Sequence, residues 1–266
     1  MIKLRADLSR HLPQEETSAF DRVMALEGET FRALGGRRTL RVILGGRSYF
    51  AKLHDGVGWR EIVKNLLMLR RPVLGARDEW RAIQRFEELG VATMTIAGFG
   101  ERGVLPSRRQ SFLVTDELVG TVSLEDFCRE WPTLPPPAAL KRGLIEKLAT
   151  IAKTLHHNGV NHRDFYLCHF LLAKDTVGAP FAAAGLSVYV IDLHRVQIRS
   201  RTPQRWIEKD VAALHFSSMD IGLTLRDRLR FIRHYRDLPL RQVLAEEQGF
   251  WSGVERKAQR LYRQHC

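Results

Sequence analysis

The chain has 266 residues, 44% hydrophobic and 27% charged, which excludes a disordered chain and leaves length for one large domain or two lobes. Lys and Arg total 42 against 30 Asp and Glu; the net charge of +12 favours acidic partners such as nucleic acid, anionic lipid surfaces, phosphorylated substrates or acidic proteins. No apolar run approaches the ~20 residues of a membrane span, and Cys128, Cys168 and Cys266 form neither a CxxC pair nor a disulfide framework. The opening "MIKLRADLSRHLPQEE" lacks the apolar stretch of a signal peptide, so a cytosolic protein is expected.

In chain order, "ETFRAL", "RTLRVIL" and "SYFAKLH" are short β-rich runs separated by "GGRR" and "GGRS", which predicts an antiparallel meander from Glu29 to His54. Trp59, Ile62, Val63, Leu66 and Leu67 fall on one helical face that ends at Pro72, with Arg60, Lys64, Arg70 and Arg71 beside it. Such a basic amphipathic helix fits a core or partner contact, or an anionic membrane surface. Trp80, Ile83, Phe86 and Leu89 predict a second helix closed by Gly90, and "SFLVTDEL" a further strand. Ser123 to Asp126 resembles a capping box, and "PTLPPPA" is a stiff connector.

Beyond it the pattern turns helical. Leu144, Leu148, Ile151 and Leu155 step by four, three and four, and Asn158-Gly159 is a left-handed stop. "VNHRDFYLCHFLL" follows, then the apolar strand "LSVYVIDLH" running into Asp192. Helices are expected from about Trp206, from Thr224 with Asp227 completing a cap, and from about Val254 to Arg263. A strand-rich front and a helical back predict an α+β chain of two lobes, residues 1–118 with the nucleotide-binding sheet and 119–266 with the catalytic loop and acceptor site.

Phosphoryl transfer from ATP requires a cation on the phosphates, a carboxylate holding magnesium and a carboxylate orienting the attacking hydroxyl. Lys52 in "YFAKLH", Asp164 after His162-Arg163, and Asp192 in "VIDLH" supply these types in the order found in kinases. Each signal is weak alone, and their order and context together make the case. His169 stands where a kinase has a metal-binding Asn. An imidazole suits a hard cation poorly, so His169 is a second metal-site residue, a hydrogen-bond partner of a phosphate or of Asp192, or a packing residue at the loop edge. Gly35-Gly36 would let backbone amides approach a phosphate, with Arg37 and Arg38 adding charge, and an ordinary tight turn explains the pair equally well. Glu79 is the expected partner of Lys52, with Glu61 and Glu87 as competitors. After Asp192 there is no "APE" motif; Arg195, Arg199, Arg201 and Arg205 form an arginine strip suited to an acidic acceptor, or a solvated basic loop. Asp210 in "RWIEKDV" is expected to support the catalytic loop.

With these residues in place the chain resembles the lipopolysaccharide core heptose(I) kinase family of Gram-negative bacteria. The resemblance covers nearly the whole chain and rests on "RRTLRVILGGRSYFAKLH", "LRRPVLGARDEW", "VNHRDFYLCHFLL", "VIDLHR" and "FSSMDIGLTLRDRLRF". It implies a protein-kinase-like two-lobed fold that uses ATP and Mg²⁺ to phosphorylate O-4 of the first inner-core heptose of a Kdo–lipid A acceptor. Asp164 would be the base, Lys52 the phosphate cation and Asp192 the magnesium ligand. A cytoplasmic enzyme peripheral to the inner membrane is implied, and the charge also suits an acidic protein partner. The rival readings are a kinase acting on Kdo or another small acceptor, an atypical protein kinase, a catalytically dead scaffold of kinase fold, and a nucleic-acid-binding module. For the last, no zinc spacing or RNA-recognition motif is present, and no nucleic acid is expected.

Overall fold

A computed structural model describes residues 1–13, 17–34, 36–56, 58–59, 75–177 and 185–265. The amphipathic helix expected from Trp59 to Leu69, Glu61 and Gly35 lie largely or wholly outside them. The chain divides into two compact units, one of residues 1–85 and 94–118, the other of residues 86–93 and 119–266.

The first unit is built on a six-stranded antiparallel sheet. Its strands are β1 (Ile2–Leu4), β2 (Glu29–Leu34), β3 (Arg37–Leu44), β4 (Arg47–His54), β5 (Ile96–Arg102) and β6 (Gln110–Asp116), in spatial order β1-β5-β6-β4-β3-β2. Gly36, at φ +75°, makes the β2–β3 turn, and Gly45 and Gly46 make the β3–β4 turn, all in the left-handed region that glycine enters without a steric cost. Alternation along β3 and β4 turns Leu40, Val42, Tyr49, Ala51 and Leu53 to one face. There they pack with Leu8, Leu12, Phe20, Val23 and Phe112, each buried Leu, Val or Phe side chain contributing about 1.5–3 kcal/mol. Lys52 sits on the alternate position of β4, opposite Thr39 and Leu113. Helix Arg77–Glu88 stacks Trp80 on Phe99 of β5 at 4.5 Å between ring centroids; its last three residues group with the second unit.

The second unit is mainly helical. Small antiparallel sheets join β7 (Thr121–Ser123), β9 (Phe170–Ala173) and β10 (Val188–Val190), and separately β8 (Val160–Asn161) and β11 (Gln197–Ile198). Helix Ala138–His157 buries Leu144, Leu148, Ile151 and Leu155 and ends at Asn158 and Gly159. Gly159 has φ +78°, and a Cβ there would fall on the Arg199 carbonyl, so glycine permits the turn into β8. Helices Gln204–Ser217, Leu225–Arg236, Leu240–Glu246 and Gln248–His265 follow. An apolar cavity of about 230 Å³ remains, lined by Leu144, Leu148, Leu214, Leu229 and Trp251 among others. The strand expected to run into Asp192 stops at Val190, because Asp192 takes φ +61° and leaves the extended region. No helix among the described residues is long and apolar enough to cross a membrane.

Candidate active site

In the first unit, β4 delivers Lys52 and the first turn of helix Arg77–Glu88 delivers Glu79. Lys52 Nζ lies 2.6 Å from Glu79 Oε1, with the Glu79 side chain 4% exposed and that of Lys52 26%. A nearly buried carboxylate needs a cation to offset its lost hydration, and the pairing also orients the ammonium. Glu87 belongs to the group of residues in the second unit. Asp55 N–H donates to the Gly36 carbonyl at 2.8 Å, which closes the chain beneath the β2–β3 turn.

In the second unit, β8 leads into a loop held from below by Asp210. The Asp210 side chain is 1% exposed; it accepts His162 N–H at 2.6 Å and Arg163 N–H at 2.8 Å. His156 Nε2 stands 3.4 Å from Asp210, and His156 Nδ1 pairs with the Tyr235 hydroxyl at 2.9 Å. His162 Nε2 faces the Ile191 carbonyl at 3.0 Å, and since a carbonyl can only accept, Nε2 carries the proton. Its Nδ1 then accepts Asp164 N–H at 3.3 Å. Burial lowers the His162 pKa, consistent with a neutral ring locked in one tautomer. Sequence reasoning missed the anchoring roles of His156, His162 and Tyr235, whose partners are 29 to 79 residues away.

Above this support the loop gathers four candidate residues. His169 Nδ1 donates to the Asp164 carbonyl at 2.6 Å, and its Nε2 lies 3.6 Å from Asp192 Oδ2. Burial disfavours the charged ring, but Cys168, the Asp164 carbonyl and the Asp192 carboxylate outweigh it and push the His169 pKa up to about 9. Arg195 Nη1 donates to Asp164 Oδ1 at 2.6 Å, so this arginine touches the candidate base itself. His194 Nδ1 contacts Asp192 Oδ1, a partner placed two residues away by the left-handed turn at Asp192. That histidine was visible in "VIDLHR", but its role depends on a backbone conformation that spacing does not reveal.

The other arginines go elsewhere. Arg199 donates to Asn161 Oδ1 at 2.6 Å and Gln197 Oε1 at 2.5 Å, and Arg201 is exposed without a hydrogen bond or ion pair among the described residues. Among those residues no group of three or more His, Cys, Asp or Glu side chains forms a ready-made metal cage. A single carboxylate such as Asp192, 34% exposed, still suits a metal that keeps most of its ligands as water and phosphate oxygen.

The family model for lipopolysaccharide kinases (Kdo/WaaP) matches residues 21–235. The chain is 54% identical over 243 residues to lipopolysaccharide core heptose(I) kinase WaaP of Pseudomonas aeruginosa (strain PAO1), covering 91% of this chain and 90% of that protein. Its identity to the protein of the same name in Escherichia coli K12 is 50% over 243 residues, covering 91% of each. A solved structure of WaaP in complex with acyl carrier protein superposes with a TM-score of 0.83 at 46% identity, covering 98% of this chain and 99% of that one. That likeness gives the two units a protein-kinase-like fold, and with the family match over most of its length the chain belongs to the lipopolysaccharide kinase (Kdo/WaaP) family.

Proposed function

We propose that the chain transfers the γ-phosphate of ATP to O-4 of the first heptose of the lipopolysaccharide inner core. The observation that carries this reading is the loop in which His169 joins the Asp164 backbone to the Asp192 carboxylate, in a chain half identical to heptose(I) kinases. Asp164 is assigned to orient the sugar hydroxyl and accept its proton. Arg195 occupies Oδ1, while Oδ2 accepts no hydrogen bond among the described residues. Lys52 is assigned to the phosphates, with its ammonium oriented by Glu79 Oε1 at 2.6 Å.

Asp192 is assigned as the magnesium ligand, because its carboxylate oxygens match a hard cation. Magnesium supplies neutralisation of phosphate charge when bound. His169 is a positioning residue: with Nδ1 committed to the Asp164 carbonyl, its Nε2 aims at Asp192 and fixes that carboxylate relative to the base. We also infer an acyl carrier protein as a partner of this chain, on the likeness to the solved complex and on the apolar cavity of the second unit, which is of a kind to accept an acyl chain. The enzyme works on a lipid-anchored acceptor without a spanning helix among its described residues, which suits peripheral attachment at the cytoplasmic face of the inner membrane.

Mass spectrometry of an unphosphorylated, heptose-containing core acceptor after incubation with Mg-ATP tests the reading. Wild type is expected to add one phosphate to the first heptose, and Asp164→Ala to lose at least a hundredfold in rate. Phosphate on Kdo instead would move the chain to the other acceptor of its family; equal turnover by Asp164→Ala would remove that residue from the chemistry.

A further inference from the structure

Four cations converge on one indole. The Trp206 ring centroid lies 5.2 Å from the guanidinium carbon of Arg163, 5.9 Å from that of Arg199, 5.6 Å from that of Arg205 and 5.2 Å from Lys209 Nζ. They arrive from separate places: Arg163 after β8, Arg199 after β11, Arg205 and Lys209 on helix Gln204–Ser217. Like charges gathered this way repel, and the face of one indole offsets only part of that repulsion. The carboxylates of the surrounding segments are engaged elsewhere. Asp164 pairs with Arg195, Glu208 with Lys257, and Asp210 with the backbone of His162 and Arg163. Among the described residues no carboxylate forms an ion pair with Arg163, Arg205 or Lys209.

The same place holds unmet hydrogen-bond donors. Arg163 Nε, Asn161 Nδ2 and Trp206 Nε1 are buried and have no acceptor among the described residues. Asn161 is 0% exposed, and because its Oδ1 accepts from Arg199, the group left over is the amide NH₂. Buried donors without acceptors are costly, and an acceptor oxygen brought beside these three would offset that cost as well as the gathered positive charge. Helix Gln204–Ser217 starts here without a side-chain cap, which adds the partial positive charge of its first turn.

We propose that Arg163, Arg199, Arg205 and Lys209 around Trp206, with the Asn161 amide, form a binding site for an oxyanion of the acceptor, a phosphate or carboxylate distinct from the phosphate being transferred. The assignment to the acceptor rests on the function proposed above; the anion site itself does not. Arg163 immediately precedes Asp164, so an anion held here anchors the saccharide beside the residue assigned as base. The site sets specificity: a neutral sugar offers the cluster nothing, whereas an inner-core acceptor, with Kdo carboxylates and lipid A phosphates, offers a bidentate partner to guanidinium forks.

The test uses the full chain and the double substitution Arg205→Ala/Lys209→Ala, two exposed side chains whose removal opens no cavity. KM is measured for heptosylated Kdo–lipid A and for the matching saccharide stripped of phosphate and with its carboxyls reduced. Wild type is expected to show a KM about tenfold lower for the charged acceptor, and the gap to close in the variant. Unfolding temperature is followed in parallel as inorganic phosphate is added, and wild type is expected to rise more than the variant. A gap that persists in the variant overturns the acceptor assignment, and equal phosphate responses overturn the anion site. Should wild type phosphorylate neither acceptor, the function proposed above fails, and the phosphate titration alone decides whether the cluster binds anions.

Discussion

Asp210 accepts the backbone N–H groups of His162 and Arg163 through both carboxylate oxygens, and Arg163 sits at φ +75°. A non-glycine residue in the left-handed region carries a cost of about 1–2 kcal/mol, so the loop keeps that shape only because something over-determines it. Two charge-assisted hydrogen bonds to one buried side chain do so, each worth about 1.5–3 kcal/mol. Asp210→Asn would turn an NH₂ toward a backbone donor and leave one N–H unmet. We expect a loss of about 2–4 kcal/mol in urea unfolding. Turnover should fall as well, because Asp164 follows directly from the distorted pair. A stability change under about 0.5 kcal/mol would mean the loop is held by other contacts. The sequence made Asp210 visible as a supporting residue of the "RWIEKDV" helix; it did not show that His156 and Tyr235 complete the support, because a His-His pair at a helix end looks the same whether it faces core or solvent.

At the scale of elements, helix Leu225–Arg236 begins with a reciprocal cap: Thr224 Oγ accepts from Asp227 N–H, and the Asp227 carboxylate accepts from Thr224 N–H at 3.0 Å. Lys141 of helix Ala138–His157 adds an ammonium at 3.2 Å. Burial opposes ionisation of Asp227, but the Thr224 backbone and hydroxyl and Lys141 outweigh it and hold the carboxyl below its ordinary value. A carboxyl depressed in the folded chain contributes stability above its unfolded pKa near 3.9, and that contribution is lost as pH falls through the lower folded value. Asp227→Asn is therefore expected to destabilise by about 1 kcal/mol at pH 7, with the gap from wild type shrinking below about pH 4. Thermal unfolding of both proteins across pH 3–7 checks it, and a gap independent of pH would assign the effect to packing. This cap was legible because Thr-x-x-Asp is local, as were the meander of β2 to β4 with its Gly turns and the helix through Trp80. The three residues of β1, the two-residue ribbons β8 and β11, and helix Leu240–Glu246 were not. Their signals are too short, and β1 is a strand only because β5, some 96 residues on, supplies its hydrogen bonds.

For the molecule as a whole, the proposed partnership with an acyl carrier protein predicts separable contributions from the net charge of +12 and from the apolar cavity of the second unit. Attraction of an acidic carrier surface to a basic chain is screened by salt, with a Debye length of about 10 Å at 0.1 M, whereas burial of an acyl chain is not. The charge was plain in the composition, but the cavity was not, because Leu144, Leu148, Leu214, Leu229 and Trp251 read as ordinary core positions until the helices carrying them are assembled. Binding of labelled carrier, with and without its acyl chain, is measured at 50 and 500 mM NaCl. Both forms are expected to weaken by about tenfold at the higher salt, and the acylated form to bind more tightly at each. Leu229→Lys, which places a charge at the half-buried cavity wall, should erase the advantage of the acyl chain and leave the salt dependence in place. Equal binding of the two carrier forms by wild type would show that the cavity takes no acyl chain, and binding indifferent to salt would show that the chain's positive charge serves the acceptor and not the carrier.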